Sequence, residues 1–229
     1  MLLRLPPKIL LLPLPKLLFL LSAIQANIPV SLFELEMLTP GLTVFGLAFM
    51  TLFSAALIAK DRSSSLLQRL YTTPLRPSDY ILGYMLPVLP ISAAQCLLCY
   101  LAAACLGLKL TINVLWALLL LIPAEIFFIA LGLLCGSVLT DKQVGGICGA
   151  LLTNLTAWLS GVWFDLDLVG GAFKAIAYAL PFVHAVEMER AVLVGNFGAI
   201  WPHLLWVLAY GAVALVAAVL LFLRQMRRQ

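Results

Sequence analysis

The sequence predicts an all-α polytopic membrane protein of about six transmembrane helices, with a cytoplasmic coupling helix and two short re-entrant outer helices. Three observations predict it. Of 229 residues, 64% are hydrophobic and only 10% are charged, with a mean hydropathy of +1.11, whereas a soluble domain has about a quarter of its residues charged. The apolar residues gather in runs close to the ~20 residues that cross a bilayer. Between the runs, basic residues fall mostly on alternate loops. This composition excludes a soluble enzyme, a disordered chain and a secreted disulfide scaffold.

The opening MLLRLPPKILLLPLPKLLFLLSAIQA carries Arg4 and Lys8 before an apolar run interrupted by Pro13, Pro15 and Lys16. Prolines disfavour a regular helix interior. The segment reads as a short irregular first span, with an interfacial segment or a cleaved signal as the other readings. Residues 1–38 form an irregular N-terminal unit and 39–229 the main transmembrane domain. A second span runs from Leu42 to Ala59, a third from Tyr80 to Leu108 and a fourth from Leu110 to Leu139, the last interrupted by Pro123 and Glu125. Val144–Phe164 is read as a fifth and Leu204–Leu223 as a sixth.

With the amino terminus in the cytoplasm, Arg4, Lys8, Lys60, Arg62, Arg69, Arg76, Lys142, Arg224, Arg227 and Arg228 lie inside. Lys109, Lys174 and Arg190 lie outside, and Lys16 is unassigned. This asymmetry follows the positive-inside rule, so the basic residues orient the chain in a lipid bilayer; no nucleic-acid partner is expected. Trp158, Trp163, Trp201 and Trp206 cluster towards the outer boundary, as an aromatic belt does.

Residues 165–202 are too polar for a span. Ala172, Phe173, Ile176, Ala177 and Leu180 form a helical apolar stripe, Pro181 ends that helix, and His184, Glu187 and Arg190 line one side of a second. These are read as two helices entering the outer leaflet without crossing it. His184 and His203 lack metal-ligand spacing, and no metal is expected.

The polar loop at 60–79, KDRSSSLLQRLYTTPLRPSD, carries the clearest local signal. Ser65 and Gln68 make a capping box; Leu66, Leu67, Leu70 and Tyr71 share a face; Pro74 stops the helix. Two turns are marginal alone in water, so this helix lies either on lipid or in a groove of a partner.

LLQRLYTTPLRPSDYILGYMLP, TNLTAWLSGVWF and YALPFVHAVEMERAVLVG, in that order, resemble the ABC-2 type transporter permeases over Thr39–Gln229. The resemblance implies a permease subunit of an ATP-binding cassette exporter in the cytoplasmic membrane, pairing with a second copy or a sister permease. It implies an ABC-type ATPase partner carrying ATP and Mg, with no cofactor on this chain. The coupling contacts then fall on Leu66, Leu67, Arg69, Leu70, Tyr71 and Thr73. Gly83-Tyr84 stands where the family has Gly-Lys. The sequence holds no G-x-x-x-x-G-K-[ST] phosphate loop, so no enzymatic activity is expected of this chain.

Glu125 is the carboxylate expected deep in a span, where a charge costs at least ~2.5–3.5 kcal/mol. It is read either as a contact on the translocation path or as a structural hydrogen bond near Pro123. Cys96 and Cys99 form a CxxC within an apolar run and read as packing residues. Gly132/Gly136 and Gly145/Gly149 each allow close helix approach. A secondary carrier or channel working without ATP is the alternative; it needs intramembrane ionisable pairs or broken helices in repeated halves. An intramembrane enzyme needs paired catalytic groups within spans, and the sequence holds none.

Overall fold

A computed structural model describes residues 16–18, 20–21, 34–64 and 77–226. Its elements are α1 (Leu35–Ser63), α2 (Pro77–Cys105), α3 (Ile112–Val138), α4 (Asp141–Val144), a π-helix (Gly145–Leu152), α5 (Thr153–Leu159), α6 (Leu166–Val169), α7 (Gly171–Ala179), α8 (Pro181–Val194), a 3-10 turn (Phe197–Ala199) and α9 (Ile200–Met226). Every described element is helical. Among the described residues, four stretches are long and apolar enough to cross a membrane: Leu35–Ser63, Ser78–Cys105, Ile112–Val138 and Phe197–Arg224. The 29 residues of α1 reach about 43 Å at 1.5 Å per residue.

α3 is the central helix and packs along α1 and α9, with α2 and α8 also against it. The α1–α3 seam is tight because glycines face it. A Cβ on Gly132 would overlap Ser54 Oγ and the Thr51 carbonyl, and one on Gly136 would overlap the Ala55 carbonyl. Thr51 Oγ1 donates to Phe128 O across the seam at 2.8 Å. Gly132-x-x-x-Gly136 therefore packs helices within the chain. In the second pair, Gly149 meets Leu52 of α1, while Gly145 faces open space.

The run read as a fifth span is helical in three consecutive pieces. α4 begins with a capping box in which Thr140 and Gln143 satisfy each other. The chain then winds as a π-helix over Gly145–Leu152 before returning to α in α5. Beyond α5, a turn at Gly161 (φ +68°) leads into the cap formed by α6, α7 and α8. α7 ends at Ala179 and α8 opens with Pro181 in its first turn, where a missing N–H costs nothing. The break at Pro181 between two helices is as the sequence predicts, while the short helix α6 and the 3-10 turn at Phe197–Ala199 are additional elements of 165–202.

Leucines on the outer sides of α2, α3 and α9, such as Leu86, Leu115 and Leu205, are exposed. A helix bundle that leaves this much apolar surface uncovered is suited to lipid, not water. Of the described residues before α1, Leu18 and Leu21 are buried in the main core.

Candidate functional site

One face of α2 carries Ser92, Gln95, Cys96, Cys99 and Tyr100, at i, i+3, i+4, i+7 and i+8, and all five are buried. Glu125 of α3 and Glu189 of α8 reach this face from different elements. Glu125 is 2% exposed and Glu189 0%. Ser92 Oγ lies 2.8 Å from Glu125 Oε2 and 2.9 Å from Leu89 O. A hydroxyl has one hydrogen; when it goes to Leu89, the Glu125 carboxyl must supply the other. Cys96 adjoins Glu125, and the Tyr100 hydroxyl donates to Glu189 Oε2 at 2.9 Å. Both side-chain amide atoms of Gln95 and Oε1 of Glu189 are buried without a partner.

The sequence reading located Glu125 but missed Glu189. Its signal was present: Phe182, Val186, Glu189 and Val192 recur at helical spacing, so a carboxylate stands on an apolar stripe. Of the residues read as one polar side, His184 and Arg190 are buried and Glu187 is half-buried. Arg190 is the tie point of the cap. It donates to Glu187 Oε1 at 2.9 Å, to Gly161 O at 3.0 Å and to Met37 O at 3.2 Å, joining α8 to the start of α1 and to the turn after α5.

Beside Arg190 lies a half-open cleft of about 770 Å³, lined by Glu34, Trp163, Asp165, Asp167, Glu187 and His203 among others. His184 and His203 face each other next to it, with Nδ1 atoms 2.8 Å apart. Among the described residues no group of three or more His, Cys, Asp or Glu is placed to hold a metal ion.

At the opposite end, the last turn of α1 is clamped. Arg62 donates to the carbonyls of Gly136 (3.0 Å) and Ser137 at the end of α3, where the helix dipole carries its negative end. Tyr84 of α2 donates to Asp61 at 2.8 Å. Both sides of the loop between α1 and α2 are thereby fixed to the bundle. Leu66, Leu67, Arg69, Leu70, Tyr71 and Thr73 lie outside the described residues.

The family model of the ABC-2 type transporter matches residues 8–194. The chain belongs to the ABC-2 type transporter family. The match to this family of membrane permeases takes in the N-terminal segment from residue 8 and ends at the last residue of α8. No curated protein and no solved structure matches the permease. Its apolar helices and its family make it a membrane transport protein.

Proposed function

We propose that this permease is the transmembrane subunit of an ATP-driven exporter in the cytoplasmic membrane. A separate ABC-type ATPase binds ATP and Mg, and a second permease copy or a sister permease completes the path. The family match over residues 8–194 carries this reading. In it the N-terminal segment is the first of six spans, α1, α2 and α3 are the second to fourth, the run from α4 to α5 is the fifth, and α9 is the sixth. The bias of basic residues puts the α1–α2 loop in the cytoplasm and the cap outside. Leu66, Leu67, Leu70 and Tyr71 then present an apolar face to the ATPase, with Arg69 and Thr73 at its edge, and the clamps at Arg62 and Asp61 pass its movement to α1, α2 and α3.

The test is co-purification. Leu70→Asp and Tyr71→Asp should abolish recovery of an ATP-binding-cassette ATPase with the permease while membrane insertion stays intact. Retained ATPase in both variants would reject the coupling role.

A second reading, a carrier or channel working without ATP, is favoured by one observation: Glu125 and Glu189 supply two buried carboxyl groups to one site, and ionisable residues inside a membrane protein mark ion and proton paths. Cargo movement by purified permease in vesicles lacking any nucleotide-hydrolysing partner decides for it.

A further inference from the structure

We propose that His184 and His203 form a proton-binding site that latches the cap helix α8 to the head of α9 and lets go when both rings are charged. The argument is a hydrogen count. His184 Nε2 lies 2.9 Å from the carbonyl of Tyr178. A carbonyl only accepts, so Nε2 carries a hydrogen. In the neutral ring Nδ1 is then an acceptor, and it faces His203 Nδ1 at 2.8 Å. His203 must donate, so its hydrogen sits on Nδ1. The two rings hold opposite tautomers.

A first added proton goes to His203, which lines the cleft, and makes the link a charge-assisted hydrogen bond, stronger than the neutral one. A second must enter at His184 Nδ1. Two N–H groups then point at each other between two cations, and the link is lost. The surroundings fit a site that holds one extra proton and resists two. Trp206 of α9 stacks on His184 at 5.1 Å and 11°, and the Tyr178 ring of α7 meets it edge-on. Glu187, paired with Arg190, is the charge whose field reaches both rings. Glu34, Asp165 and Asp167 line the same cleft as His203, while Glu189 points to α2. Burial also holds His184 below the ordinary imidazole range.

These are the two histidines of the chain, so histidine-selective nitrogen-15 labelling of the full-length protein in lipid vesicles reads this site alone. At neutral pH one ring should be the Nε2–H tautomer and the other Nδ1–H, joined by a detectable N–H···N coupling. Two rings in the same tautomer would overturn the proposal without any variant being made. The latch is read by hydrogen exchange of residues 181–194, corrected for the intrinsic effect of pH. Acidification should speed exchange about tenfold or more in the wild type, as expected for loss of a charge-assisted bond. His203→Asn, whose amide still donates to His184 but does not titrate, should keep its protection. Wild-type exchange that ignores pH, or a folded His203→Asn that loosens alongside it, refutes the latch.

Discussion

Ser92 meets Glu125 where α2 and α3 cross, and hydrogen bonds between helices in a membrane contribute ~0.6 kcal/mol on average and up to ~1.7. Ser92→Ala should lower stability by about 1 kcal/mol, read from unfolding in detergent. Glu125→Gln, which keeps shape and a hydrogen-bond partner, should unfold like the wild type; the two changes combined should be non-additive because the residues touch. Any loss of transport in a fully folded Glu125→Gln then belongs to the translocation path. At His184 the sign follows from burial: a base held below its ordinary value folds best uncharged, so its contribution is present above that value and is lost as pH falls through the lowered one. Lys174, by contrast, pairs with Asp167 in the open. Lys174→Ala should leave stability within about 0.5 kcal/mol. Glu125 could be read from the sequence because a charge in an apolar run stands out. Glu189 could not be read so easily, since its neighbours Glu187 and Arg190 made the whole helix look polar, and only its phase against Phe182, Val186 and Val192 gave it away.

Four of the six spans read from composition are helices long and apolar enough to cross a membrane, displaced at their ends. Apolar runs beginning at Leu42, Tyr80 and Leu204 became helices beginning earlier, at Leu35, Pro77 and Ile200, because backbone hydrogen bonding carries a helix past the edge of its apolar run, whereas the run from Leu110 became a helix only from Ile112. The π-helix was not legible: Gly145–Leu152 has no residue pattern that distinguishes one extra residue per turn from ordinary α winding. The two glycine pairs look alike in sequence yet differ in surroundings. Gly132→Ala should cost about 1–3 kcal/mol through overpacking, because its new methyl meets α1 backbone, whereas Gly145→Ala should be tolerated, having nothing within 4 Å. Thermal unfolding of the two variants side by side makes the comparison. Arg62→Ala should cost about 1–3 kcal/mol, the penalty for stranding the α3 carbonyls it now serves.

At the scale of the whole molecule, the membrane class and the family followed from bulk hydropathy and three ordered segments, properties that need no knowledge of packing. The polar face of α2 was beyond that reach, because it is assembled from helices far apart in sequence: Tyr100 and Glu189 meet over 89 positions. The α1–α3 seam sets a limit on how such a machine can work. Glycines sit against bare peptide groups at one level, and Arg62 bolts the two helices together lower down, so neither slippage nor splaying is available along that line. The pair must travel as a single plank. Whatever gap admits cargo has to appear along some other boundary, and the force that drives it needs to grip only one edge of the plank.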